Sequence, residues 1–119
     1  RWCSMTAIDD LTRLHHMQDA AREALGFMSE KTRENLANDR MLVLAVVKDL
    51  EIIGEAAGRI SAECTARHPG IPWADMIGMR NRLTHAYFSI DLDIVLDTVT
   101  NNLAPLVEQL ESVIQEESI

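Results

Sequence analysis

The sequence predicts an all-α fold, an antiparallel bundle of four to five helices with a kinked last helix. Three observations lead there. Apolar residues recur at steps of three and four through most of the chain. No stretch shows the apolar–polar alternation of a half-buried strand, and no repeat or low-complexity segment breaks the pattern. The chain has 119 residues, 47% of them apolar, which suits one core, so residues 1–119 are read as a single helical domain.

The opening "RWCSM" has no initiator Met and no signal-peptide apolar stretch, so Arg1 to Met5 are expected to lie outside the fold. The first helix covers about residues 5–28. Leu11, Leu14, Ala21, Leu25 and Met28 form its apolar stripe, with Gln18 as the one polar interruption. Gly26 and the polar "SEKTREN" then loosen the chain. Asn38 or Asp39 caps a second helix, whose seam of Val43, Val46, Leu50, Ile53, Ala57 and Ile60 steps by three, four, three, four, three. Gly54 and Gly58 make a small-residue patch on this helix that suits either close packing within the chain or contact with a second subunit. "RHPGIPW" is a loop, and Pro72 suits the start of a third helix running to about His85. The last helix begins near Asp91. Its stripe, Leu92, Leu96, Val99, Leu103, Leu106, Leu110 and Val113, keeps phase across Pro105, which favours one bent helix over two.

The two cysteines, Cys3 and Cys64, are too few for a disulfide scaffold and read as free thiols in a reducing, cytoplasmic setting, with Cys64 packed. No apolar run nears the ~20 residues of a membrane span. The net charge of −8 disfavours an extended nucleic-acid surface. The charge is uneven, however. Residues 1–58 hold 7 bases and 10 acids (−3), residues 59–90 hold 4 and 2 (+2), and residues 91–119 hold 0 and 7 (−7). The one positive segment contains "MRNRLTHAYF", residues 79–88.

On an ideal helix of ~100° per residue, Arg80, Thr84 and Tyr87 share a stripe while Arg80 and His85 stand about 140° apart. A shared site therefore needs a helix end, a reaching Arg side chain or a second subunit. Histidine moves protons near neutral pH, and arginine matches phosphate oxygens. With Asn81 to orient the imidazole and Tyr87 to donate to an oxygen, the set suits metal-free phosphodiester cleavage. It equally suits an ordinary Arg-rich helix end with a satisfied His, and the residues alone leave both readings open.

The Arg80-x4-His85 spacing with Asn81, ending His-x-Tyr at Tyr87, resembles the signature of HEPN-domain ribonucleases, and of the HepT toxins among them. "LEIIGEAAGRIS" (50–61), "HPGIPWADMIGMRNRLTHAYFSIDLDIVLDTV" (68–99) and "NNLAPLVEQLE" are similar to HepT-type segments in the same order, so the resemblance covers roughly residues 5–115. It implies a HEPN-like bundle, a homodimer with a shared cleft, and metal-independent cleavage of RNA without a cofactor. It also implies the toxin of a type II/VII-like toxin–antitoxin pair. His85 would be the general acid/base, Arg80 the stabiliser of phosphoryl charge, and Asn81 and Arg82 supporting groups. The implied antitoxin is a minimal nucleotidyltransferase that places AMP on Tyr87. The rival reading is a non-catalytic adaptor that binds such a nucleotidyltransferase.

Glu51, Glu55 and Arg59, at four-residue steps, read as a solvated or internally paired face, or as carboxylates behind Arg80 or Arg82. His15 and Asp19 are also four apart, but nothing completes a ligand set, so no metal site is expected. His68 is expected to be exposed and Trp73 to be a packing anchor.

Overall fold

The computed structural model describes residues 9–85 and 89–118, and of Arg80, Thr84, His85 and Ser89 it describes the backbone. Helix α1 is Asp10–Phe27, α2 Arg33–Asn38, α3 Arg40–Gly58 and α4 Ala62–Arg67. Helix α5 is Trp73–Ile77, α6 Met79–Leu83, α7 Leu92–Asp97 and α8 Ala104–Glu117, with a π-helical turn, Thr98–Leu103, joining the last two. The bundle is all-α but for a two-residue antiparallel pairing of Thr84 with Ile90 and His85 with Ser89.

Five helix starts, those of α1, α2, α3, α4 and α7, have a side-chain cap on an otherwise unpaired helical N–H. Asp9 accepts from Thr12 N at 2.8 Å, and this bond holds its carboxyl below the usual range. Thr32 and Asn35 form a reciprocal box, which starts α2 inside a polar stretch that the apolar pattern reads as loose. Asp39 caps α3, Ser61 caps α4 and Asp91 caps α7.

The three predicted stripes become the core. Leu14, Met17, Ala21 and Ala24 of α1 meet Val43, Val46, Leu50 and Ile53 of α3, while Val99, Leu103, Leu106, Leu110 and Val113 close the other side. Gln18 is buried because it has partners: its Nε2 donates to the Val107 carbonyl (3.1 Å) and to Glu111 Oε1 (2.9 Å), both on α8. The last helix does run through Pro105. The turn before it widens to π geometry, which accommodates a ring that has no N–H to give.

Gly54 is where two backbones meet. A Cβ there would lie 2.6 Å from the Met76 carbonyl oxygen of α5, so the space is filled within the chain. At Gly58 a Cβ would meet only Ile77 Cγ1, at 3.9 Å.

Among the described residues, one buried side-chain oxygen lacks a hydrogen-bond partner, the Oδ2 of Asp49, which is 2% exposed. Burial, and then the neighbouring Glu23 carboxyl, push Asp49 up to about 7. A carboxyl raised in the fold keeps a proton that the unfolded chain releases above its ordinary 3.8, so its stabilising effect is full at acid pH and lost as pH climbs towards 7. Asp49→Asn, neutral at every pH, should therefore gain over the wild type between pH 5 and pH 8, by on the order of 1–3 kcal/mol in urea unfolding. A difference unchanged across that range would contradict the assignment.

Candidate functional site

The motif segment is built by interruption. The third helix expected over 72–85 is two short helices that break at Gly78 and stop at Leu83. At the break, Gly78 N turns back to the Ala74 carbonyl at 2.9 Å, ending α5. At the stop, the Leu83 carbonyl accepts from Asp91 N at 2.6 Å, a partner far along the chain, instead of continuing the helix. Thr84 and His85 then run extended beside Ser89 and Ile90.

Helix α6 has only five residues and depends on its anchors. Met79 and Leu83, four apart, are 6% and 1% exposed. Two inward anchors at that spacing turn the residues between them outward. Asn81 and Arg82 are exposed accordingly. Asn81 N donates to the Gly78 carbonyl at 3.1 Å. The Arg82 guanidinium reaches back over the break, donating through Nη2 to the Asp75 carbonyl at 2.7 Å, with Nη1 3.6 Å from its carboxylate. Arg82 thus straps α6 to α5.

Arg80 sits in α6, and His85 lies two residues beyond the end of that helix, opposite Ser89; Tyr87 lies outside the described residues. Because α6 ends at Leu83, the ideal-helix angles among Arg80, His85 and Tyr87 do not apply. A helix end does fall between Arg80 and His85, so the ideal-helix offset no longer argues for a second subunit.

Beside α5 lies a cleft of about 750 Å³. Arg13 and His16 of α1 line it together with Lys48, Glu51 and Glu55 of α3 and Arg59 at its C-cap, and Ile77 closes it next to Gly54. Three permanent cations face two acids, so the cleft is locally positive in a chain of charge −8. Glu55 pairs with Arg59 at 3.6 Å, both exposed, and such pairs add little stability. Glu51 is half-buried in the cleft wall. The linear sequence hid the contribution of Arg13, His16 and Lys48, since they join the cleft only when α1 packs on α3. The three-residue step from Arg13 to His16, which puts both on one helix face, was the available signal.

His68 is 9% exposed, contrary to expectation, because Glu117 of α8 takes its Nε2 at 2.7 Å. Trp73 does anchor the preceding loop: it packs on the core, and its Nε1 donates to the His68 carbonyl at 2.9 Å. His15 and Asp19 are exposed and belong to no three-residue ligand cluster among the described residues.

An all-α bundle that sets Arg80 and His85 across the end of a short, doubly anchored helix defines a class, the HEPN-type helical domain. More narrowly, the chain belongs to the Ribonuclease HepT-like family, whose model matches residues 17–113. It is 37% identical over 100 residues to "Probable ribonuclease HepT" of Thermococcus cleftensis, covering 81% of this chain and 90% of the relative. It is 31% identical over 100 residues to "Putative RNase MJ1380" of Methanocaldococcus jannaschii, covering 84% and 92%. No solved structure matches it significantly.

Proposed function

We propose that this chain is a metal-independent endoribonuclease, the toxin of a toxin–antitoxin pair, acting in the cytoplasm. The observation that carries the reading is the Arg80-x4-His85 motif, set across a helix end in a chain of a ribonuclease family. His85 accepts the proton of a ribose 2′-OH as that oxygen attacks the adjacent phosphorus. The P–O5′ bond breaks, the departing oxygen takes a proton, and a 2′,3′-cyclic phosphate remains. Arg80 stabilises the charge gathering on the phosphoryl oxygens, and Asn81 orients the imidazole or the substrate. The cleft lined by Arg13, Lys48 and Arg59 supplies sequence-independent attraction for the RNA backbone.

The protein would work as a homodimer. Support comes from exposed apolar side chains, Met41 and Leu44 at the start of α3, 81% and 47% exposed, and Ile77 of α5, 51% exposed. The antitoxin would be a minimal nucleotidyltransferase that moves AMP from ATP to the Tyr87 hydroxyl and releases pyrophosphate. The new phosphodiester would compete with RNA for nearby cations. The same exposed apolar residues and the net charge of −8 favour, as a second reading, an adaptor that binds the nucleotidyltransferase without cutting RNA.

Two outcomes are expected. Purified protein should cleave RNA in EDTA, while Arg80→Ala and His85→Ala lose at least a hundredfold in rate, about the contribution of a general acid/base, and keep the wild-type helical circular dichroism. Cleavage by folded His85→Ala at the wild-type rate would contradict the role given to His85, and a folded wild type that cuts no RNA would leave the adaptor reading. When co-expressed with the nucleotidyltransferase, the wild type should gain the mass of AMP on Tyr87, the one tyrosine of the chain, and Tyr87→Phe should stay unmodified and toxic. A silenced Phe variant with no AMP mass on the wild type would mean inhibition by occlusion.

A further inference from the structure

Away from the motif, the structure assigns a second site: Cys64, His68 and Glu117 form a binding site for a borderline-soft divalent cation of the zinc type, which fastens α4 to α8. The Cys64 Sγ, a ring nitrogen of His68 and a carboxylate oxygen of Glu117 all lie within 4.8 Å of one another. Tetrahedral zinc, with bonds of about 2.0–2.3 Å, holds such atoms about 3.3–3.8 Å apart. His68 Nε2 and Glu117 Oε2 stand closer than that, at 2.7 Å, so a cation entering between them needs adjustments of about an ångström.

The chain builds the site from two helices. Cys64 and His68 are four apart and share one face of α4 and its C-cap, the spacing by which a helix offers two ligands to one ion. Glu117 arrives from the end of α8. Its side chain is 15% exposed, that of His68 is 8% exposed and Cys64 is fully buried, so the donors have left water. The neighbours match what a bound cation requires. Glu116 Oε1 lies 3.8 Å from His68 Nδ1, on the side that would hold the ring proton and leave the Nε2 lone pair for the metal. Arg67 grips both oxygens of Glu117, Nη2 on Oε1 at 2.8 Å and Nε on Oε2 at 3.0 Å, so an ion taking Oε2 replaces the Nε bond while the Nη2 bond still holds the carboxylate.

The charges balance. A dication displaces the thiol proton and binds the His68 tautomer that carries its ring proton on Nδ1. Thiolate and carboxylate then cancel its two charges around a neutral imidazole, and a water completes the four-coordinate shell. The mixed sulfur, nitrogen and oxygen set selects zinc-type ions over magnesium or calcium. The group also stands without metal as a hydrogen-bonded ion cluster. There, Arg67 first and His68 second pull Glu117 down to about 2, and burial pushes the Cys64 thiol up.

The test is cobalt titration of untagged protein stripped of metal with EDTA and dialysed. The expected result is a thiolate-to-cobalt charge-transfer absorption that saturates at one equivalent per chain and is displaced by zinc. It should persist in Cys3→Ser, vanish in Cys64→Ser and need at least tenfold more cobalt in Glu117→Gln. If Cys64→Ser fails to fold, Glu117→Gln decides: unchanged affinity there overturns the site. So does a wild type with no such band, or a band that survives Cys64→Ser.

Discussion

The close approach of α3 and α5 at Gly54 governs the rest of the molecule. Because residue 54 carries no side chain, the Met76 carbonyl comes to where a Cβ would stand, 2.6 Å away, and α5 lies directly against the long helix. That seat buries Met76 and brings the chain to Gly78 at a fixed place. From there Met79 and Leu83 enter the core and Arg82 ties back to Asp75. A five-residue helix has too few internal hydrogen bonds to hold itself. Its position therefore derives from Gly54, the two anchors and the Arg82 strap, and the motif inherits that position.

The long elements were legible in the sequence because burial dictates them. Leu50 and Ile53, or Leu106, Leu110 and Val113, stay apolar at helical spacing because one face must leave water, and that spacing reads directly. Pro105 did not mislead, since an unbroken stripe on both sides outweighs one missing hydrogen bond. The short elements were less legible. Helix α2 is set by the Thr32–Asn35 box rather than by a stripe. The stop at Leu83 depends on Asp91, eight residues on, and no local pattern reports that contact.

The motif itself was legible as a set of residue types, and its flanking blocks were legible as a family. The geometry derived from them was not, because an ideal helix through residue 87 overlooks the end at Leu83. The burial of His68 escaped for a similar reason. Its partner, Glu117, is 49 residues away on the last helix, within a terminal segment that otherwise reads as a solvated acidic face. The same distance in sequence hid the positive cleft. Its bases come from α1 and α3, while the total charge of −8 is dominated by the seven acids after residue 90. Net charge thus describes the chain's average field and says little about a local phosphate site.

If the backbone seat at Gly54 positions the motif, which lies more than twenty residues further along the chain, a methyl added at residue 54 must disturb cleavage. Comparison of Gly54→Ala with Gly58→Ala in an RNA-cleavage assay, run below the melting temperature of both, tests it most directly. Both changes add one methyl to α3, but only the first drives it into a backbone carbonyl. The account predicts that folded Gly54→Ala loses cleavage at least tenfold, while Gly58→Ala keeps wild-type activity and gains up to about 1 kcal/mol from better helix propensity. A folded Gly54→Ala protein that cleaves as fast as the wild type would contradict it.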